Sequence, residues 1–275
     1  MEPRGPGYIK LTFVTPNAED RIVRAARNSY HQADRDTTRE QDESLMRYMY
    51  QNKHTSPFEF VHVDFQICAP LSIVTQLLRH RTGSFNVMSH RYSDANSIFK
   101  KSGDKPWYSP VKTTDDIRMQ STLNRQSSST SSNLPIEDEK DILNTFAELD
   151  ELTAKIFDKY NHLLKMKVGK EIARFYLPCG TYTIADCSFD LHNLLHFLRL
   201  RRHDHAQLEI QEYANELLNQ LRPHVPFVIG LFEEEMKSIT FNAQEVRVLN
   251  GEEEANARVK SMIDDKMSEL GMKKL

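Results

Sequence analysis

The 275-residue chain is poor in features that would commit it to several common classes of protein. It has three cysteines, Cys68, Cys179 and Cys187, an odd count without a CxxC pair. That fits reduced thiols in a cytoplasmic protein better than a disulfide framework or a cysteine-rich zinc site. No apolar run approaches the ~18 residues that would mark a membrane helix, and no charged-then-apolar leader opens the chain, so neither a span nor secretion is expected. The sequence contains no GxGxxG or GxxxxGK[ST] loop, which argues against a doubly wound dinucleotide fold and a P-loop. Lys and Arg are not in surplus: the net charge is −3 and the pI about 6.4. A general nucleic-acid binder needs a basic face, so nucleic acid is not expected as a partner.

Basic charge is instead concentrated in one place. Residues 79 to 92 read Arg79-His80-Arg81-Thr82-Gly83-Ser84-Phe85-Asn86-Val87-Met88-Ser89-His90-Arg91-Tyr92. Arg, Ser and Asn interleaved in this way suit an anion, because guanidinium forks and small hydroxyl or amide groups fill its lone pairs. A solvated charged loop is the alternative reading of the same residues.

Hydrophobic patterning supplies the scaffold. Gly7 to Val14 reads as a strand closed by Pro16-Asn17, followed by helical patterns over 18–29 and 41–53. Val61, Val63, Phe65 and Ile67 alternate with His62, Asp64 and Gln66, the period of a half-buried strand. A helix is expected from Pro70, anchored through Leu71, Val74 and Leu78 and delivering Gln76 and Arg79 at its far end. Residues 95–136 lack apolar periodicity and include the Arg125–Asn133 polar run, the pattern of a surface insertion. Helical patterning resumes over 137–167. A short helix through Lys170 to Leu177 carries Arg174, and 181–188 has strand composition. Asp190 is a good N-cap for a helix bearing Leu191, Leu194, Leu195 and Leu198. A further helix begins near His205, and the last forty or so residues form a charged extension.

Several residue types with chemical potential remain on these elements. His192 and His196 lie at i, i+4, with His203, Asp204, His205 and Glu209 beyond, a collection that a divalent metal could recruit. There is no HExxH pattern, and no metal site is expected. Cys179 after Pro178 reads as a packed thiol more readily than a nucleophile. Arg201 falls at the edge of an apolar stripe, where a guanidinium either snorkels to water or enters a ligand pocket.

Arg79-His80-Arg81, seven residues and then Ser89 resemble the RHRx7S motif of flavin-dependent thymidylate synthases (ThyX), with Ser84, Asn86, Ser89, Arg91 and Tyr92 extending the match. The resemblance includes His54-Thr55-Ser56-Pro57-Phe58-Glu59, Ala173-Arg174-x-x-Leu177-Pro178, Leu198-Arg199-Leu200-Arg201 and His205-Ala206-Gln207-Leu208-Glu209-Ile210-Gln211. It implies an α+β fold, a small antiparallel sheet flanked by long helices with a mostly helical periphery. One catalytic domain would span 1–235, with the insertion at about 95–136, followed by the extension 236–275. It implies reductive methylation of dUMP to dTMP, with carbon from 5,10-methylenetetrahydrofolate and electrons from NADPH through FAD, in a homotetramer whose active sites are shared. Gln76, Arg79, Val87 through its backbone, Ser89, Arg91, Arg174 and Arg201 correspond to dUMP ligands, Arg201 being the catalytic group against the uracil ring. His54, Ser56, Arg79, His80, Arg81, Asp190, His192 and His196 correspond to FAD contacts.

The chain departs from the family at Val87, where Glu or Gln is usual, at Asp190, where Asn is common, and at His192 and His196, where Arg and Asn are frequent. A related methylase of another pyrimidine nucleotide is therefore one alternative. A metal-dependent phosphohydrolase using His192, His196, His203 and His205, and a nucleotide-binding module without catalysis, are others.

Overall fold

A computed structural model describes residues 3–33, 35–120, 128–130, 134–239, 241–251, 254 and 256–269. The chain divides into two compact units, Met1–Ile229 and Gly230–Leu275.

In the first unit, β1 (Tyr8–Val14) leads into α1 (Ala18–Asn28) and α2 (Arg39–Gln51), and α2 begins with a reciprocal Thr38/Gln41 capping box. A 3-10 turn at Ser56–Phe60 precedes β2 (His62–Pro70), α3 (Leu71–Leu77) and β3 (Ser84–Val87). The short strands β4 (Arg118–Gln120) and β5 (Ser128–Thr130) pair with each other. Then follow α4 (Ile136–Lys165), α5 (Lys170–Ala173), β6 (Tyr182–Asp190), α6 (Leu191–Arg201) and α7 (Leu208–Leu221). The helix α8 (Pro226–Lys237) crosses the boundary between the units.

The main sheet has the order β1-β2-β6-β3 and is antiparallel throughout. Its centre is the β2–β6 pair, in register from His62 opposite Asp190 to Pro70 opposite Tyr182. Val63, Phe65 and Ile67 are buried, as their alternation requires, and Phe65 stacks on Phe189 at 6.0 Å between centroids. Beneath them Leu191, Leu194 and Leu198 of α6 join Ile210, Leu217 and Leu221 of α7 in the core. Full burial of such a side chain contributes about 1.5–3 kcal/mol.

Three expectations change. The buried face of α3 is Ile73, Val74 and Leu77, whereas Leu78 is exposed, because the helix stops after two turns. The stretch after Gly83 is not simply a loop: Ser84–Val87 pairs with Ser188 to Ala185 as the edge strand β3. Its polar residues alternate toward solvent, which hides a strand from a search for apolar runs. Residues 95–117 pack inward, since Ala95, Phe99 and Ile117 are buried, and Trp107 lies 4.9 Å from Phe157 of α4. Aromatic anchors there substitute for periodicity. Of the polar run Arg125–Asn133, all but Ser128–Thr130 lies outside the described residues.

In the second unit, α9 (Ala243–Leu249) begins at a capping box made by Asn242 and Glu245, and α10 (Ala257–Glu269) returns Lys266 to Glu245 at 2.6 Å. Glu245 is buried, and the Lys266 hydrogen bond holds its carboxyl below the usual range.

Candidate functional site

The basic turn sits where α3 ends and the edge strand starts. Gly83 lets it pass tightly over the core: a Cβ there would lie 2.4 Å from Phe189 Cζ, closer than packed carbon atoms tolerate. His80 is 8% exposed, with its ring edge against Phe197. Its Nε2 accepts a hydrogen bond from Arg201 Nε at 2.9 Å, so this imidazole is neutral with its proton on Nδ1. Burial, then the nearby Arg201 guanidinium and His196, push the His80 pKa down to about 4.

Arg201 ends α6, half-buried rather than snorkelling. Its Nη2 donates to the Gln76 carbonyl at 3.2 Å. Burial lowers its pKa, but a guanidinium starting from 12.5 stays charged at neutral pH. Two anchors fix the plane of the fork while other N–H groups remain to meet an acceptor. The Gln76 side chain points elsewhere, donating to Gln207 Oε1 at 2.6 Å. The sequence offered Gln76 as a dUMP ligand and Gln207 within the 205–211 match, but it gave no sign that the two pair and so join α3 to the start of α7 across 131 positions.

A second cluster forms around the loop after β3. The Ser89 carbonyl accepts from Tyr92 N and Ser93 N, and Ser89 Oγ accepts from Arg91 N at 3.2 Å. Lys170 Nζ clasps the Tyr92 carbonyl at 2.7 Å, and Arg91 meets Glu171 at 3.3 Å. Arg174 follows on a 3-10 turn, Arg174–Tyr176, rather than mid-helix. It lies near buried His90, whose pKa is lowered by burial and then by the Arg174 charge, against a smaller opposing effect of Asp94. Ser89, Arg91 and Arg174 thus gather around the start and end of α5. Val87 ends β3 opposite Ala185, and Arg79 and Arg81 are exposed on the basic turn.

A third region is a cavity of about 120 Å³ lined by His54, Thr55, Phe58, His192, Leu195 and Arg199, with Lys53 at its wall. Pro57 and Phe58 are buried and hold the preceding His54 and the exposed Ser56 in position. Imidazoles and cationic groups on an apolar floor suit a phosphate or the edge of an electron-poor ring. The volume is below the ~300–1,000 Å³ of pockets enclosing whole ligands, so it can take one end of a larger molecule. His196 is exposed on the adjoining turn of α6. Asp190 caps α6 as its sequence position predicts, accepting from Asn193 N at 2.9 Å and from Asn193 Nδ2 at 2.6 Å. A ligand hydroxyl at Asp190 would share an acceptor already engaged by Asn193, a partner recognisable only as the third residue after the cap.

Among the described residues no group of three or more His, Cys, Asp or Glu side chains is positioned to hold a metal ion. His203 and His205 lie side by side, 4.6 Å between ring centroids, without joining His192 and His196 in such a group. Burial raises the Cys68 and Cys187 thiols to about 12, which leaves neither a thiolate at neutral pH. Cys179 is exposed on the turn after α5. No described helix is long and apolar enough to cross a membrane.

Comparison with known proteins gives these clusters a context. Residues 10–227 match the Thy1 family model, described as thymidylate synthase complementing protein. The chain is 34% identical over 244 residues to a flavin-dependent thymidylate synthase of Treponema denticola, covering 88% of this chain and 85% of the relative. It is 36% identical over 247 residues to one of Thermus thermophilus, covering 89% and 83%. Among solved structures it resembles the UMP/dUMP methylase PolB of Streptomyces cacaoi bound with 5-Br dUMP, with a TM-score of 0.69 and 27% identity over 85% of this chain and 97% of that one. With its small antiparallel sheet, its helical surround and a family match spanning most of its length, the chain belongs to the Thy1 family of flavin-dependent thymidylate synthases.

Proposed function

We propose that this chain converts dUMP to dTMP by reductive methylation, taking its carbon from 5,10-methylenetetrahydrofolate and its electrons from NADPH through bound FAD. The observation that carries this reading is Arg201, a half-buried guanidinium anchored by neutral His80 at 2.9 Å and by the Gln76 carbonyl at 3.2 Å. Uracil must gain electron density at C5 before it can attack a one-carbon electrophile. A guanidinium held against the ring stabilises the negative charge created by ionisation at N3, and its anchors spare it reorganisation as that charge develops. Neutral His80 serves this role better than a cation, because it orients Arg201 without repelling it.

Ser89, Arg91 and Arg174 suit the dUMP phosphate, with Gln76, Arg79 and the Val87 backbone completing the substrate ligands. His54, Ser56, Arg79, His80, Arg81, Asp190, His192 and His196 are the proposed FAD contacts, and the His54–His192 cavity supports this assignment. The flavin, when bound, supplies the hydride and electron chemistry that no side chain offers. The high pKa of Cys68 and Cys187 agrees with a route that needs no enzyme thiolate.

Assembly as a homotetramer with shared active sites is part of the proposal. Tyr92, Phe175 and Tyr176 are 78–79% exposed beside the Arg91–Arg174 cluster, and apolar surface next to a site suits coverage by another copy. The proposed catalytic domain is 1–235, with 236–275 as an extension. A second reading, methylation of UMP as well as dUMP, is favoured by the resemblance to PolB and by Val87, which offers no polar side chain. Absorbance spectra and metal analysis of the purified protein, followed by titration with dUMP and UMP, test the proposal. Bound flavin whose spectrum responds to dUMP is expected, and a colourless protein with stoichiometric metal would contradict it.

A further inference from the structure

The proposed catalytic group, Arg201, leans on a residue that is itself held from another helix. Arg201 Nη2 donates to the Gln76 carbonyl at 3.2 Å, and Gln76 lies in the last turn of α3. The Gln76 side chain reaches across to the start of α7. Its Nε2 donates to Gln207 Oε1 at 2.6 Å and, over a longer 3.5 Å, to the Ser72 carbonyl one turn back. Both hydrogens of that nitrogen are therefore committed within the protein. Among the described residues no group donates to Gln76 Oε1, so that oxygen is the part of the amide left to meet a ligand.

Gln207, in extended backbone at the N-cap of α7, has its own reason to face Gln76 with oxygen. A side-chain amide has one oxygen and one NH2, and which way round it sits follows from its neighbours. The other neighbour of Gln207 is Glu209, buried and paired with Arg118 and Tyr108. Burial alone would raise the Glu209 pKa, but its own backbone N–H, the Arg118 pair and the Gln207 side chain outweigh that and keep it ionised. A carboxylate only accepts, so the Gln207 NH2 faces Glu209 and its oxygen is left for Gln76. The carboxylate at one end thus sets which atom Gln76 presents at the other.

We propose that Gln207 is a positioning residue for the methylation reaction: by accepting from Gln76 it pins the end of α3, holds the carbonyl that anchors Arg201, and turns Gln76 Oε1 toward the nucleotide. This rests on the reading of Gln76 and Arg201 as groups that meet dUMP. Gln207 acts through Gln76 and needs no contact of its own with the nucleotide.

The test compares Gln207→Met and Gln207→Glu in the flavin-loaded protein, reading dUMP affinity by calorimetry, dTMP formation, and flavin reduction by NADPH without nucleotide. Met is of similar size to Gln but cannot accept, whereas Glu still accepts from Gln76 and loses only the donation to Glu209. Gln207→Met is expected to weaken dUMP binding about threefold and to slow dTMP formation about tenfold, with flavin reduction unchanged. Gln207→Glu is expected to stay within about twofold of wild type in all three. A residue that only packs, or that serves only Glu209, gives the reverse order, because Glu sets a second carboxylate beside Glu209. In a Gln76→Met background, Gln207→Met is expected to have no further effect, and this pair decides if Gln207→Glu does not fold. Wild-type behaviour of Gln207→Met, the reverse order, or an added loss in the double variant overturns the proposal alone. A wild type that binds dUMP without forming dTMP overturns the proposed function, and the order of dUMP affinities then decides the role of Gln207. A wild type that binds no dUMP overturns both.

Discussion

Replacement of Arg201 by Lys separates positioning from charge. In the structure two different nitrogens of the guanidinium are committed, Nε to His80 and Nη2 to the Gln76 carbonyl, while the plane they define directs the remaining donors. An ammonium retains the charge on a single nitrogen and cannot occupy both anchors and also reach an acceptor on a ring. Loss of one oriented donor at developing negative charge costs about 2.7–4 kcal/mol, equivalent to roughly a hundredfold to a thousandfold in rate. The substitution also leaves the buried His80 Nε2 short of its donor, about 1–3 kcal/mol of folding stability. Arg201→Lys is therefore expected to fold with a lowered melting temperature, to bind flavin and to oxidise NADPH, yet to form dTMP at least about a hundredfold more slowly. Flavin reduction and dTMP formation should be measured separately in that variant. Near-normal dTMP formation would refute the reasoning, and equal loss of both half-reactions would place the defect in flavin binding.

Four further outcomes follow from the same geometry. The folded-state pKa of His80 is depressed to about 4, so between pH 6.5 and 4 the unfolded chain takes up a proton that the folded chain refuses. Stability should fall as pH drops through that window, more steeply in wild type than in His80→Asn when followed by urea midpoints, and parallel profiles would refute the assignment. Arg174→Ala should weaken dUMP binding by about 2–4 kcal/mol in calorimetry while flavin remains bound; Arg91→Ala should weaken it similarly yet cost less than about 1 kcal/mol of stability, because its pair with Glu171 is solvent-exposed. Cys68→Ser and Cys187→Ser should each lose about 1–3 kcal/mol of stability by burying a hydroxyl and still turn over, and Cys179→Ser should be nearly silent; a folded, ligand-binding but inactive Cys179→Ser would revive nucleophilic catalysis. Gly83→Ala should cost about 1–3 kcal/mol through the clash with Phe189, measurable as a lowered denaturation midpoint, with impaired flavin retention because the Arg79–Arg81 turn shifts.

The sequence made the central strands legible because Val63, Phe65 and Ile67 alternate with polar residues, and one-sided burial imposes that period. Asp190 was readable as a cap for the same kind of local reason, its side chain meeting a backbone N–H three residues on. Much less local information marks β3, a four-residue edge strand whose apolar content is Phe85 and Val87. The inward packing of 95–117 rests on Trp107 against Phe157, fifty positions away, and no period records such a contact. At the candidate site, the family resemblance named Arg79, His80 and Arg81 through the motif and Arg201 through the 198–201 stretch, but only the fold reveals that His80 is a neutral acceptor for Arg201. The Gln76–Gln207 pair and the Arg118–Glu209 pair likewise depend on contacts between elements, here α7 with α3 and with the β4 strand.

The central claim is reductive methylation in which the electrons come through flavin, leaving the folate at the tetrahydro level. Its most direct test is product analysis of the purified, flavin-loaded protein turning over dUMP, 5,10-methylenetetrahydrofolate and NADPH under anaerobic conditions, with both nucleotide and folate products separated and quantified. Equal amounts of dTMP and tetrahydrofolate, formed only when flavin is bound, are the expected result. Dihydrofolate as the folate product, dTMP formation by flavin-free protein, or no dTMP from flavin-loaded protein would contradict the account.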